Sequence, residues 1–381
     1  MTTTLSIALF LIGGLACLTM GAEVLLKGAS RLAVALGITP LVVGMTVVAY
    51  GTSAPELAVT VQAVYSDPPE PDLAIGNVVG SNISNILLVL GIASLAAPLL
   101  VSRSLVRFTV PIMIAATGLV WGMSLDGEIG RFEGVVLLSG AVLFSAISVF
   151  RSRARTAALA RAHPGDLPPP RARTARMTVL NLVAIAAGLA LLVLGSRWLV
   201  EGATQIARLL NVSKLIVGLT VVAVGTSLPE IATSLVASVR NQRDIAVGNV
   251  VGSNIFNLLL VLGFCATVSP QPVLVQSSAL RFDIPIMFAV SLAAWPIFYT
   301  EWTIKRWEGF TFLLFYAAYT LFLYLKATQH SALNQYTTAM IYFILPIAGL
   351  VLVIFTFRHW RNNVPHPDHA TPANENQRTL E

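Results

Sequence analysis

Charged residues are scarce in this chain of 381 residues. Asp, Glu, Lys and Arg together make up only 11% of it, while 56% of the residues are hydrophobic. Soluble domains carry about 25% charged residues. Apolar runs of about 20 residues, each long enough to cross a hydrocarbon core, recur along the sequence. This composition excludes an ordinary soluble protein and predicts a multi-pass protein of the cell (inner) membrane, surrounded by the lipid bilayer.

Cysteine and histidine are also rare, and their placement argues against several kinds of site. Cys17 and Cys265 both lie in apolar runs, which argues against a disulfide framework, and no Cys/His metal spacing is present. The five histidines lie outside the span centres, and no nucleophile–base constellation suggests an enzyme. The sequence lacks the interleaved basic and aromatic residues that are typical of nucleic-acid binding. We therefore expect no enzymatic activity, no cofactor, no nucleic-acid partner and no obligate protein partner.

Eleven apolar runs are predicted to span the membrane. They lie near residues 5–27, 38–64, 72–97, 106–124, 130–150, 179–207, 212–239, 244–268, 282–300, 308–327 and 338–357. The longest polar stretch between them, 151–178, contains seven arginines and three consecutive prolines. Because cytoplasmic loops carry an excess of Lys and Arg, this stretch is predicted to be cytoplasmic. Five spans precede it, so the N-terminus is expected outside and, after the eleventh span, the C-terminus in the cytoplasm.

The polar stretch also divides the chain. The predicted units are a first five-span repeat (1–150), the basic linker (151–178), a second five-span repeat (179–327), an extra C-terminal span (328–361) and a disordered tail (362–381). The alternative prediction for 151–178 is a regulatory segment that binds anionic lipids. The positive-inside pattern favours a plain linker.

Two long motifs occur once in each half of the chain. GMTVVAYGTSAPE (Gly44 to Glu56) and GLTVVAVGTSLPE (Gly218 to Glu230) are identical at 10 of 13 positions. IGNVVGSNISNILLVLG, starting at Ile75, recurs from Val247 with 14 of 17 residues identical. Each half holds an odd number of spans, so the second copy must enter the membrane the other way up. The predicted fold class is therefore all-α integral membrane, with two inverted five-span repeats, broken helices at the core and an extra C-terminal span.

The first motif places a carboxylate beside a helix-breaking proline. Pro55 has no N–H, so it cannot bond to the carbonyl of Gly51, and the freed carbonyl must be buried in protein or line a polar cavity. Hydroxyl and carboxylate oxygens adjoin the break in each repeat, and they come from Thr52, Ser53, Glu56, Thr226, Ser227 and Glu230. Oxygen ligands suit a hard cation such as Ca²⁺ or Na⁺. The alternative is a simple kink with a structural glutamate, but carboxylates inside membranes are rare, costly and usually functional.

The second motif repeats polar residues at a spacing of four, which puts them on one helix face. These residues are Asn77, Ser81 and Asn85 in the first repeat and Asn249, Ser253 and Asn257 in the second. Asn82 and Asn254 lie off this stripe. Ser81, Asn85, Ser253 and Asn257 are predicted to be cation ligands, because the helix break needs polar partners opposite it. Asn77, Asn249 and the G-x-x-x-G glycines are better explained as helix-packing residues.

The paired motifs GTSAPE and GTSLPE, each followed by GNVVGSN, resemble the alpha repeats of the sodium/calcium exchanger family of the cation/calcium exchanger superfamily. The resemblance covers about the first 327 residues and is to the prokaryotic type with two alpha repeats. It implies that Glu56 and Glu230 are the central Ca²⁺ ligands. Further ion ligands implied by the resemblance are Thr52, Ser53, Thr226, Ser227, Ser81, Ser253, Asn85, Asn257 and the carbonyls of Ala49 and Ala223.

The function implied by the resemblance is Na⁺/Ca²⁺ antiport by alternating access, with both ions as transported substrates. Some family members carry Asp where this chain has Asn257, so this site holds two formal negative charges instead of three, and the eleventh span exceeds the ten-span pattern. A Ca²⁺/H⁺ (or other cation/proton) exchanger is the main alternative, since the same glutamates could carry protons. A membrane sensor or scaffold that binds Ca²⁺ without transport would be expected to carry a soluble output domain.

Overall fold

The computed structural model describes residues 3–162, 175–210, 223–299, 301–344 and 349, and these are almost entirely helical. The helices are α1 (Thr3–Leu36), α2 (Pro40–Tyr65), α3 (Pro71–Ala96), α4 (Leu105–Asp126), α5 (Arg131–Ala162), α6 (Ala175–Leu209), α7 (Leu228–Val239), α8 (Arg243–Val268), α9 (Ala279–Tyr299), α10 (Arg306–Ala327) and α11 (Leu333–Ala339). A short helical turn, Ala223–Thr226, precedes α7.

Nine of these helices, within the described ranges, are long and apolar enough to cross a membrane. They correspond to nine of the predicted spans, which confirms the all-α membrane fold class. Of the predicted span 212–239, only the part from residue 223 onwards is described. The predicted eleventh span (338–357) falls largely outside the described residues, and the predicted tail (362–381) falls wholly outside them.

Three helices continue beyond the predicted limits of their spans. α5 runs to Ala162 and α6 begins at Ala175, so both ends of the predicted linker 151–178 are helical and only 163–174 lie outside the described residues. Similarly, α1 continues to Leu36, beyond the predicted end of the first span at residue 27. Hydropathy marks where the apolar stretch ends. The alanines and arginines that follow it in α5 are good helix formers, so the helix does not stop there.

The first helices of the two repeats, α1 and α6, pack against each other in opposite directions. A Cβ added to Gly21 would lie 2.9 Å from the Gly188 carbonyl oxygen, and one added to Gly14 would lie 2.9 Å from the Gly195 carbonyl oxygen. The residue numbers of the contacting glycines increase along α1 as they decrease along α6, so the two helices are antiparallel. Because α1 and α6 are equivalent members of the repeat, this direction agrees with an inverted topology.

The equivalent helices α3 and α8 form the centre of the bundle. The most apolar stretch is 94% buried in α8 and 78% in α3, but only 28% in α1 and 22% in α6. Gly248 and Gly252 let α8 approach the start of α2, since added Cβ atoms would lie 2.9 Å from the Leu41 carbonyl oxygen and 2.6 Å from that of Met45. At the equivalent glycines of α3, Gly76 and Gly80, an added Cβ would meet no described atom outside its own helix within 4 Å.

Two short antiparallel strand pairs, which the sequence reading did not predict, join the repeats. Strand β1 (Leu99–Leu100) pairs with β4 (Thr303–Ile304), and β2 (Glu128–Ile129) pairs with β3 (Val273–Leu274). Each pair takes one strand from each repeat, between consecutive spans. These pairings satisfy backbone groups at the ends of the helices and tie the two halves together.

Candidate cation site

The helix break predicted from the proline is present in both repeats and is one residue wide. Ser53 interrupts α2 with φ −81° and ψ 3°, and Ser227 separates the turn Ala223–Thr226 from α7 with φ −84° and ψ 1°. A glutamate follows each break by three residues and lies in the first turn of the helix that follows. Glu56 and Glu230 are both 0% exposed. The break therefore delivers one carboxylate from each repeat into the protein interior.

Glu56 is linked to both central helices. The Ser81 hydroxyl, on α3, donates a hydrogen bond of 3.2 Å to Oε1 of Glu56. Nδ2 of Asn257, on α8, in turn lies 3.1 Å from the Ser81 oxygen and donates to it. This chain of contacts brings together three residues predicted to be ligands, two from the first repeat and one from the second.

Thr52 makes the corresponding connection from the other side of the break. Its hydroxyl donates to Oδ1 of Asn249 at 3.2 Å and lies 3.4 Å from the Ser253 hydroxyl. The Glu230 carboxylate is close enough to Glu56 for the two groups to interact electrostatically. Thr52 and Ser253, predicted ligands 201 residues apart in the sequence, therefore meet in one buried cluster.

The central helices change their winding at the predicted asparagines. A π-helical segment begins at Asn85 in α3 (Asn85–Val89) and at Asn257 in α8 (Asn257–Leu262). Such segments are rare and are frequently found at functional sites. Each one widens the helix where a polar side chain enters the core, so the bulges are a feature of both copies of the motif.

Many polar atoms in this region have no hydrogen-bond partner among the described residues. They include oxygens of six predicted ligands, namely Ser53, Glu56, Asn85, Ser227, Glu230 and Asn257, and both carboxylate oxygens of Glu230 are among them. A buried polar group without a partner costs about 1–3 kcal/mol. A cluster of oxygens with free lone pairs is instead well suited to coordinate a hard cation, which prefers carboxylate, hydroxyl and carbonyl oxygens.

The charge of the cluster points to the same class of ligand. Neither glutamate forms a salt bridge within the described part of the chain. The same residues contain no group of three or more His, Cys, Asp and Glu side chains placed to hold a metal. A cation here would be held by two carboxylates, with neutral oxygens completing its coordination.

Fewer contacts are described for the remaining predicted ligands. The Ala49 carbonyl accepts the Ser53 N–H at 3.0 Å and lies 3.4 Å from the Thr52 hydroxyl, so it faces the break but already carries a backbone hydrogen bond. Ala223 and Thr226 form the short turn before Ser227, and the surroundings of the Ala223 side chain fall outside what is described. Asn85 is buried at the start of its π-helical segment.

The two asparagines assigned to helix packing do join helices. Nδ2 of Asn77 donates to the Glu56 carbonyl at 3.1 Å and to the Thr60 hydroxyl at 2.9 Å, which fixes α3 against α2. Nδ2 of Asn249 likewise donates to the hydroxyls of Thr233 and Ser234 on α7. Asn249 also accepts from Thr52, so it connects the helix contact to the site itself.

Two polar contacts were not predicted from the sequence. Asn82 and Asn254, which lie off the polar stripe, bond across the repeats to each other's backbone carbonyls. Ser196 on α6 donates a 2.5 Å hydrogen bond to the Gly225 carbonyl, which is the group freed by Pro229. The recurrence of Asn82 as Asn254 in an almost identical motif was the available signal for the first contact. The second had none, because the equivalent of Ser196 in the first repeat is Ala22.

Comparison with known proteins identifies relatives over most of the chain. A family model described as "Sodium/calcium exchanger protein" matches residues 6–150 and 180–325. The inner membrane protein YrbG of Escherichia coli is 37% identical over 288 residues, covering 74% of this chain and 85% of that protein. The sodium/calcium exchanger MaX1 of Methanosarcina acetivorans is 32% identical over 346 residues, covering 83% and 98%. A solved structure of the sodium-calcium exchanger NCX_Mj aligns with a TM-score of 0.68 at 29% identity, covering 82% of this chain and 97% of that one.

Proposed function

Because the chain belongs to the sodium/calcium exchanger protein family, we propose that it is a secondary active antiporter that exchanges Na⁺ for Ca²⁺. Transport takes place at one intramembrane site made of oxygen ligands from both repeats. The observation that carries this proposal is the meeting of two fully buried glutamates, Glu56 and Glu230, in one cluster with unpartnered oxygens. MaX1 and NCX_Mj, both named as sodium/calcium exchangers, support the choice of ions.

The charge of the site explains why Ca²⁺ and Na⁺ compete for it. The two carboxylates match the charge of one Ca²⁺, and desolvated like charges in one buried site repel unless a cation neutralises them. Na⁺ ions bound to the same oxygens neutralise them as well. Hydroxyls such as those of Thr52, Ser81 and Ser253 complete the coordination for either ion, because both prefer oxygen ligands.

Antiport follows from the cost of leaving the site without a cation. A site that holds Ca²⁺ or Na⁺ is close to neutral, so it can close to one side of the membrane and open to the other. Bare carboxylates in a low-dielectric interior are strongly disfavoured, so the site does not make this change without a cation. Each crossing therefore carries one ion species, and the return crossing requires the other. The Na⁺ gradient then drives Ca²⁺ transport.

The moving part is assigned to α1 and α6. These helices are mostly unburied, with 28% and 22% of their most apolar stretches buried, and they pack against each other along glycine contacts, outside the densely packed α3 and α8. They also touch the ligand-bearing helices, since a Cβ added to Gly51 would meet Leu189 of α6 at 2.6 Å. Sliding of this pair past a fixed core would open the site to one side at a time, with the N-terminus outside and the C-terminus in the cytoplasm.

The coupling ion is tested by transport into proteoliposomes. Vesicles loaded with Na⁺ and diluted into Na⁺-free medium should take up labelled Ca²⁺, and vesicles with only a pH gradient should not. Uptake that requires the pH gradient and ignores Na⁺ would overturn the proposal in favour of Ca²⁺/H⁺ exchange. Glu56→Gln and Glu230→Gln should abolish the Na⁺-driven uptake, whereas Glu128→Gln, at an exposed residue of β2, should retain it.

A further inference from the structure

A cavity lined by arginine, serine and apolar side chains lies away from the carboxylate cluster. It has a volume of about 280 Å³ and is bounded by the start of α2, the start of α4 and the final turns of α5. A water molecule occupies about 30 Å³ of liquid, so the cavity has room for a much larger polyatomic species. Its lining includes four arginines, Arg103, Arg107, Arg151 and Arg155, and no acidic residue.

The four arginines lie at the rim of the cavity, and no acidic side chain among its lining residues neutralises their charge. All four are exposed, and none forms a salt bridge within the described part of the chain. Two are held in place by aromatic rings, since the Arg151 guanidinium lies 4.1 Å from the centre of the Phe108 ring and that of Arg103 lies 5.6 Å from the Trp302 ring. Positive groups that converge on one cavity raise the local potential and attract anions.

The floor of the cavity provides a hydrogen-bonding group that the helix itself does not use. On α5, the hydroxyls of Ser139 and Ser145 each donate at 2.8 Å to the carbonyl four residues earlier. The Ser148 hydroxyl lies on the same helix, is only 2% exposed and lines the cavity, yet it has no hydrogen-bond partner among the described residues. Ser152, one turn further on, accepts the Thr39 N–H at 2.8 Å and so ties α5 to the start of α2.

We propose that this cavity binds a phosphate-bearing anion, with the arginines at its rim and the Ser148 hydroxyl at its floor. The planar fork of a guanidinium matches the oxygens of a phosphate group, and such charge-assisted hydrogen bonds are among the strongest in proteins. The ligand is either a soluble phosphate compound or the headgroup of an anionic lipid. It would touch both α5 and the first turns of α2, the helix that carries Thr52 and Glu56.

The test uses the full-length protein and two phosphate sources. Thermal unfolding is followed in detergent against rising inorganic phosphate, with chloride at matched ionic strength as the reference because salt screens exposed charges. It is then repeated in nanodiscs of phosphatidylcholine with and without phosphatidic acid. The variants are Arg107→Gln, Arg151→Gln and Ser148→Ala. Arg153→Gln is the matched control, because Arg153 is exposed on the same helix but does not line the cavity.

Specific binding should raise the unfolding temperature in a concentration-dependent way. Each arginine variant should weaken the apparent affinity about tenfold, and Ser148→Ala several-fold, while Arg153→Gln leaves it unchanged. Stabilisation by inorganic phosphate would identify a soluble ligand, and stabilisation by phosphatidic acid alone would identify a lipid headgroup. The proposal is overturned if neither source stabilises the protein, or if Arg153→Gln has the same effect as Arg107→Gln and Arg151→Gln.

Discussion

Asn82 and Asn254 bond to each other reciprocally across the interface between the repeats. Nδ2 of each side chain donates to the backbone carbonyl of the other residue, and both distances are 3.3 Å. The same amide groups lie 3.6 Å from Met287 and Met113, respectively, which are themselves equivalent positions of the two repeats. The contact thus obeys the two-fold relationship between the halves and joins α3 to α8 at the centre of the bundle.

Substitution of these asparagines should show that each side chain contributes its own hydrogen bond across the repeats. Asn82→Ala and Asn254→Ala should each destabilise the protein by about 0.6–2 kcal/mol, the range for polar contacts between membrane helices. Alanine keeps the backbone carbonyl that accepts from the other residue, so each substitution removes only one of the two reciprocal bonds and the double variant should lose about the sum of the two. Denaturant unfolding in detergent measures the cycle, with Ser139→Ala as a control, because that hydroxyl bonds only within its own helix turn. A loss in both single variants no larger than that in Ser139→Ala would contradict a stabilising contact across the repeats.

Transport should require the close packing of α1 against α6 that their glycines allow. A Cβ at residue 188 would lie 2.6 Å from the Leu25 nitrogen, so Gly188→Ala should force the two helices apart, and overpacking of this kind costs about 1–3 kcal/mol. We expect a several-fold slower exchange rate in proteoliposomes, while Ca²⁺ binding at equilibrium persists. Gly122→Ala, where the added Cβ would meet no described atom outside its own helix within 4 Å, should exchange normally. Equal rates for both variants would argue against movement of this pair.

The Thr52 hydroxyl should contribute directly to ion affinity. Thr52→Val keeps the shape of the side chain but removes the oxygen that contacts Asn249 and Ser253. Loss of one such group inside a site should weaken Ca²⁺ binding about tenfold, as judged from the Ca²⁺ dependence of Na⁺-driven uptake. Thr117→Val is the control, since that buried hydroxyl bonds only to the Met113 carbonyl of its own helix. A purely structural role for Thr52 predicts the same small effect in both.

Much of this architecture follows from the repeat in the sequence. The paired motifs predicted inverted five-span units, and the odd span count predicted the opposite directions that α1 and α6 show. The proline in each motif predicted a helix break beside a glutamate, and Ser53 and Ser227 are where those breaks occur. These features could be read from the chain because each depends on local chemistry or on span number.

Features that depend on packing could not be read in this way. Asn82 lies off the polar stripe, but α3 is buried on most of its surface, so a residue off the stripe also meets another helix. The strand pairs and the arginine-lined cavity combine short segments far apart in the chain, with no periodic pattern to mark them. Only the three-dimensional arrangement brings Arg107 and Ser148 to the same cavity.

The central claim is that Glu56 and Glu230 belong to one site, and the number of Ca²⁺ ions bound per chain tests it most directly. Calorimetry on the purified full-length protein should detect one Ca²⁺ per chain in Na⁺-free buffer, displaced by added Na⁺. Either Glu56→Gln or Glu230→Gln alone should remove it, because each leaves a single carboxylate to balance a divalent ion. Two Ca²⁺ per chain, or one still bound tightly in either variant, would contradict a shared site.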